Sequence, residues 1–283
     1  MRSLALFLLC ASCQLPAPPA SRAIPPPPTA DAAALSGEHV QPTSEAPAPP
    51  VGAKITTRMP TSWNGDDSEP LAERGKLAVQ RRRPVVEQLF DDADVKFPPA
   101  ELLLRAFKAE KELEVWASSA RGGEMTRVAT YGICRISGEL GPKRREGDLQ
   151  VPEGFYRIDY FWPDPSFWLS AKVSYPNPLD KQLGGGAPGG DIMIHGDCAS
   201  IGCISLSDER MEELWVMGTS LTGPGAAVSV HIFPTRELAT LTETDSPHRA
   251  FWQDLRLAYD GFERDRRLPN VGVGFKGRYE LRD

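Results

Sequence analysis

The 283-residue chain has no apolar run long enough to span a bilayer: Leu4–Ala11 is short and sits behind a basic start, Met1-Arg2. Basic residues do not outnumber acidic ones. With 32 Lys+Arg against 38 Asp+Glu, a net charge of −6 and no dense basic stripe, nucleic-acid binding is not expected. The glycine-rich stretch 184–190 lacks the Gly-Lys-Ser/Thr of a phosphate-binding loop, and no internal repeat is apparent. Histidine is scarce, with four residues, and cysteine nearly so, with five. His195, Cys198, Cys203 and the distant His231 have the right atoms for zinc, yet their spacing matches no standard zinc pattern. No metal and no other cofactor is therefore expected.

The N-terminus reads as an export signal. Leu9–Cys13 resembles a relaxed bacterial lipobox in which Cys13 is lipidated, with Cys10 where an aliphatic residue is usual. Ordinary cleavage after Ala23 is the alternative. Gln14 in place of aspartate fits sorting to the outer membrane, which makes the expected location the periplasm, with the membrane reached by the lipid anchor only. Residues 14 to about 60 hold twelve of the 27 prolines among many Ala, Ser and Thr, a composition of extended spacers that bury no core. The expected organisation is a signal over 1–13, a tether over 14–91 and one folded domain over 92–283. Leu71–Phe90 has some helical character, interrupted by Arg81-Arg82-Arg83-Pro84.

The folded part reads mostly as strand and turn. Leu102–Phe107 and Leu113–Ala117 around a charged turn suggest a hairpin, with one helix over Glu101–Ser118 as a rival on propensity. Met125–Ser137 alternates as a strand, with Val128, Thr130, Gly132, Cys134 and Ile136 on one face. Phe155–Trp162, Phe167–Val173, Ala227–Phe233 and Val271–Leu281 read as further strands. Ser207 can cap a helix with Met211, Leu214, Trp215 and Gly218 facing inward, and Arg249–Arg266 is an amphipathic helix. The fold class is β-rich α+β with two helices.

The chemistry concentrates in Ile192–Leu206. The apolar run Ile192–Ile194 delivers His195 to the end of a strand, and Ala199, Ser200 and Gly202 let the chain turn tightly into Cys203. A thiol becomes a strong nucleophile when a nearby imidazole takes its proton, and the thiolate attacks a carbonyl to give a thioester. Glycine before the nucleophile permits a bent backbone whose amides can hold an oxyanion. The rival reading is a buried histidine beside a structural thiol.

His195-Gly196 followed by Ser200, Gly202 and Cys203 resembles the active-site signature of the YkuD-type L,D-transpeptidase catalytic domain. Upstream segments agree: Ser137–Asp148 and Val151–Ile158. Within that superfamily the likeness is closest to YafK-like proteins, through Phe107–Glu114, Thr130–Cys134, Gly141–Arg145, Met193–Cys198 and Phe251-Trp252. The resemblance spans about residues 92–283 and implies a YkuD-like mixed β-sheet with a few flanking helices. It implies Cys203 as nucleophile toward the L-centre carbonyl of meso-diaminopimelate in peptidoglycan stem peptides, and His195 as general base and then acid. It also implies the Gly196 carbonyl as the group that orients the imidazole. The Gly202 and Cys203 amides are oxyanion-hole candidates, and Ser200 is a substrate-contact candidate.

Two positions depart from the usual transpeptidase pattern. Ile201 and Ser205 stand where that pattern has a second histidine and an arginine. Similar gaps in YafK-like proteins go with hydrolysis of the bond joining outer-membrane lipoprotein to peptidoglycan, so a wall-linked lipoprotein is an expected partner. Lys143, Arg144 and Arg145 are candidates to grip stem-peptide carboxylates, with a solvated loop as the alternative. Outside the cytoplasm, the three cysteines of the folded domain suit one disulfide and one reactive thiol: Cys134 with Cys198, Cys203 free. Three reduced thiols are the alternative. A silent peptidoglycan-binding module is the rival of another class.

Overall fold

Contiguous apolar runs, rather than alternating ones, suit strands covered on both faces, and the first half of the domain is built that way. The computed structural model describes residues 69–283 apart from 165, 224, 225, 275 and 283; the signal, Cys13 and most of the expected tether lie outside the described residues. β1 (Glu101–Phe107) and β2 (Glu112–Ser118) form an antiparallel hairpin with Leu104 opposite Val115, which excludes the single helix. All but the first residue of each strand is buried. β3 (Thr126–Gly132) pairs with β2, and the register shifts between Val115 and Trp116. That bulge breaks the expected one-face alternation: Val128 and Tyr131 are buried while Thr130 is exposed.

β4 (Gly154–Trp162), β5 (Ser170–Val173), β6 (Met193–His195), β7 (Ile204–Ser205) and β8 (Val228–Phe233) complete a mixed eight-stranded sheet in the order β3-β2-β1-β8-β4-β5-β6-β7. The β1–β8 and β6–β7 pairs are parallel, and the other neighbours are antiparallel. Val271–Leu281, expected as one strand, is a hairpin of β9 (Val271–Val273) and β10 (Tyr279–Leu281).

Five helices, not two, accompany the sheet among the described residues: α1 (Glu69–Asp92), α2 (Pro178–Leu183), α3 (Asp208–Ser220), α4 (Leu238–Leu241) and α5 (Arg249–Asp265). Ser207 caps α3, accepting from the Arg210 amide. One core cluster joins the sheet to α1 and α3 through Ala78, Val86, Phe90, Met211, Leu214 and Trp215. A second holds Phe107 and Phe233 of the sheet against Phe251, Trp252 and Leu255 of α5. None of the helices among the described residues is long and apolar enough to cross a membrane.

The packed chain begins before Asp92. Residues 69–91, expected to belong to the tether, form α1, with Ala78, Val86 and Phe90 fully buried. The Arg81–Pro84 stretch does not interrupt the helix. Arg82 Nε lies 2.9 Å and Arg81 Nη1 3.3 Å from the carboxylate of Glu212 on α3, a side chain only 4% exposed. The arginines neutralise a buried acid, and Pro84 is accommodated inside the helix. Truncating Phe90→Ala is therefore expected to destabilise the protein by about 3–5 kcal/mol. Denaturant titration checks this; an unchanged midpoint would mean that α1 contributes nothing to the core.

Candidate active site

The edge of the sheet at β5–β6–β7 assembles the candidate residues through register alone. β6 pairs antiparallel with β5, Ser170 opposite His195 and Lys172 opposite Met193. It pairs parallel with β7, Ile194 beside Ile204 and His195 beside Ser205. Side chains alternate along a strand, so Ile194 and Ile204 enter the core while His195 and Ser205 share the other face. Cys203 immediately precedes β7, and continuing that register by one residue sets it beside Met193, two residues before His195. The Met193 amide donates to Cys203 Sγ at 3.4 Å, and Sγ lies 3.7 Å from the Asp191 carbonyl oxygen.

The connection over residues 196–203 is short for a parallel crossover, and its backbone shows the cost. Asp197 and Cys198 have φ of 62° and 28°, and Gly202 has 137°. Gly202 is needed for that conformation, since a Cβ would have room there. At Gly196 the constraint is space: a Cβ would collide with Asp208 Oδ1 and with the Phe167 carbonyl oxygen. Asp208 Oδ1 accepts from the Asp197 amide at 2.9 Å, which ties the turn to the first residue of α3. Cys134 and Cys198 are bonded, with a Cα–Cα separation of 5.1 Å, and Cys203 is a free, half-buried thiol.

His195 is 1% exposed, under the Phe167 ring at 4.2 Å between centroids. Its Nδ1 lies 2.5 Å from the Gly196 carbonyl oxygen. A carbonyl can only accept, so Nδ1 carries the proton and Nε2 keeps its lone pair. Burial lowers the imidazole pKa from 6.5, opposed by the Gly196 hydrogen bond and by Asp164 and Asp197. Burial raises the Cys203 thiol from 9.0, opposed by the Met193 amide and the Lys172 ammonium and reinforced by Asp191 and Asp164. At neutral pH the pair therefore rests as thiol and neutral imidazole. Such a pair can form a nucleophile by moving the thiol proton to Nε2 as attack proceeds.

The remaining candidates divide. Ser200 is committed to the turn: its hydroxyl donates to the Cys203 carbonyl at 2.6 Å and lies 3.3 Å from the Gly202 amide, which donates to it. Lys143 is buried, with Nζ 2.5 Å from Asp148 and 2.9 Å from the Arg145 carbonyl, so its charge is spent inside its own loop. Arg144 lies 3.5 Å from the buried carboxylate of Asp180 and its guanidinium sits over Phe251. Of the three, Arg145 is the exposed one. His231 is on β8, three strands from β6, with its pKa lowered to about 3 by burial and by Arg105. With Cys198 in a disulfide as well, the His195, Cys198, Cys203, His231 set is not assembled.

Lys172, Asp191, Phe167 and Asp208 were not identifiable from the sequence as parts of this site. Lys172 had a usable signal, an isolated cation in the short strand Ser170–Val173, but its neighbour became visible only through the β5–β6 register. The two sulfur environments differ enough to separate by chemistry. Alkylation without reduction, followed by proteolysis and mass spectrometry, is expected to label Cys203 and to recover Cys134 and Cys198 as one linked peptide pair. Free labelled Cys134 would contradict the bond.

The sequence profile of the YkuD L,D-transpeptidase catalytic domain matches residues 106–230. YafK of Escherichia coli (strain K12), provisionally named an L,D-transpeptidase, is 34% identical over 181 residues, 62% of this chain and 72% of that protein. Among solved structures, the helical cell shape determining protein Pgp2 from Campylobacter jejuni aligns with a TM-score of 0.40 and 19% identity, covering 67% of this chain and 80% of that one. L,D-transpeptidase 1 of Mycobacterium tuberculosis aligns with a TM-score of 0.26 and 15% identity, over 47% of this chain and 62% of that one. On the profile match and the identity to YafK across most of its length, this chain belongs to the YkuD-type L,D-transpeptidase family.

Proposed function

We propose that the protein is a cell-envelope cysteine enzyme that acts on peptidoglycan stem peptides at the L-centre carbonyl of meso-diaminopimelate. The observation that carries this reading is that the β6–β7 register brings Cys203 beside Met193, two residues from His195, whose Nδ1 is held by the Gly196 carbonyl. In the first step Sγ bonds to the carbonyl carbon while its proton passes to Nε2. The oxyanion is held by backbone amides at 202–203, and that of Gly202 must exchange its bond to Ser200 for one to the oxyanion. Collapse breaks the C–N bond, Nε2 protonates the departing amine, and a thioester remains. In the second step water adds with loss of a proton to Nε2, the C–S bond breaks, and the thiol regains the proton.

Two side chains favour water as the acceptor. Ile201 is 80% exposed and apolar, and Ser205 is fully buried, both its roles given to the Arg135 main chain. Neither offers the charge that an incoming amine or its carboxylate would meet at those positions in a transferase. The amine released is then the lysine of a wall-linked outer-membrane lipoprotein. Transfer to a second diaminopimelate amine or to protein is the alternative outcome of the same thioester, and a non-catalytic binding role is the reading of another class. On this reading an N-terminal export signal would carry the enzyme to the periplasm, with a lipid tether at Cys13 or, alternatively, plain cleavage after Ala23. Arg145 stays a candidate for stem-peptide contact, while Lys143 and Ser200 would act by shaping the loops around it.

The test is incubation with muropeptides that carry or lack a lysine-linked peptide, read by mass spectrometry. Release of the lysine peptide with addition of water is expected; a new 3–3 dimer would make the enzyme a transpeptidase. Activity is expected to vanish in Cys203→Ala and to fall about 10²–10⁴-fold in His195→Gln. Wild type no better than Cys203→Ala would leave only the binding role.

The pH profile follows from the two shifts. A base whose pKa is lowered stays competent further into acid, so the acid limb of kcat/KM is expected below 6.5. A thiol whose pKa is raised keeps its proton further into alkali, so the upper limb is expected above 9.0. A profile rising through pH 7–8 would instead indicate an imidazole stabilised as a cation.

A further inference from the structure

Arg135 is an exposed side chain for which no hydrogen bond, ion pair or ring contact is found among the described residues, yet its main-chain amide and carbonyl are both hydrogen-bonded to Ser205. It forms an isolated antiparallel bridge with Ser205. The Ser205 hydroxyl accepts from the Arg135 amide at 3.1 Å and donates to the Arg135 carbonyl at 3.0 Å. The Cys134 amide donates to the Ser205 carbonyl at 2.9 Å, and Cys134 is also bonded to Cys198. Two successive residues are thus fastened to the segment that carries Cys203, one of them covalently. Nothing in the packing of a loop requires so much anchoring of an unpaired cation.

The position explains it. His195, Ser205 and Arg135 lie in one row across three neighbouring chain segments, because Ser205 is paired with both of the others. Two strand spacings put the Arg135 backbone about 10 Å from that of His195, within reach of a ligand bound over Cys203 for a long, forked side chain. A guanidinium recognises a planar carboxylate through paired charge-assisted hydrogen bonds. On the far side of the nucleophile, Lys172 is already engaged with Asp191 at 3.2 Å. Arg135 is therefore the uncommitted cation along this row.

We infer that Arg135 is a specificity-determining residue that binds the free carboxylate at the D-centre of the diaminopimelate whose L-centre carbonyl faces Cys203. This deepens the function proposed above and rests on it. The residue holds substrate through a carboxylate remote from the reacting atoms, and Ser205 with the Cys134–Cys198 bond positions it. Free carboxylate and carboxamide at that D-centre should then be told apart by this one side chain.

The experiment uses the full chain carrying Cys203→Ala, so that binding is read without turnover. Isothermal titration calorimetry compares a stem tetrapeptide having the D-centre carboxylate with its D-centre carboxamide twin. The acid is expected to bind about 10- to 100-fold more tightly than the amide. Adding Arg135→Gln is expected to bring the acid down to the level of the amide, and Arg135→Lys to restore part of the difference. The clamp uses only main-chain atoms of Arg135, so the melting temperature should not move. Equal binding of acid and amide by the parent, or a preference that survives Arg135→Gln, overturns the role of Arg135 and leaves the proposed function standing. Failure of both peptides to bind overturns both.

Discussion

The parallel pairing of β6 with β7 is the constraint on which the site depends. A slip of one residue in that register would turn every side chain of one strand to the opposite face. If β6 turned, His195 would enter the core beside Met211 and Leu214; if β7 turned, Ile204 would leave the core and Ser205 would enter it. Ile194 and Ile204, both fully buried, oppose the slip because each would lose its apolar surroundings. The hydrophobic half of the motif thus sets the angle of the chemical half. Little of the positioning is done by hydrogen bonds between the candidate side chains themselves: the thiol contacts the backbone of residues 191 and 193, and the imidazole that of 196.

A short parallel crossover carries a second requirement. The chain must reverse, climb and reverse again between His195 and Ile204 without a helix to do it. Two non-glycine residues, Asp197 and Cys198, accept positive φ, which costs on the order of 1 kcal/mol or more each. Such conformations persist only where the surroundings over-determine them. Here the Asp208 carboxylate holds the Asp197 amide, Cys134 holds Cys198, and Ser200 closes the last turn onto the Cys203 carbonyl. Ser200, which looks like a candidate for substrate contact, therefore acts first as part of the frame around Cys203.

How much of this was legible in the sequence depends on the range of the contact. The local geometry of His195, Gly196, Gly202 and Cys203 could be read because it arises within one short segment, where spacing and small residues carry it. The hairpin β1–β2 was legible for the same reason. The Lys143–Arg145 run was misleading as a unit: Asp148, five residues on, takes the ammonium of Lys143 and the amides of Arg144 and Arg145, so only part of the charge reaches solvent. α1 was obscured because three arginines and a proline look like a break until Glu212 supplies a buried acid from far along the chain. Lys172 and Arg135 could not be placed without sheet register, since Lys172 pairs with Met193 and Arg135 with Ser205 across strand boundaries.

Ser205 shows how one substitution in a signature can redistribute a site. The serine there turns its hydroxyl onto the Arg135 main chain, donating to the carbonyl and accepting from the amide. Full burial makes both bonds necessary, because an unmet hydroxyl would cost about 1–3 kcal/mol. Those bonds in turn fix a neighbouring segment that has an arginine of its own to present. A cation absent from one strand is thereby available from the next, about one strand spacing further from the imidazole. On the proposed reading, Arg135 would grip an anionic acyl donor, while Ile201, open to solvent, would offer little to a charged acceptor. Under the proposed mechanism, that asymmetry between donor and acceptor would favour water as the acceptor.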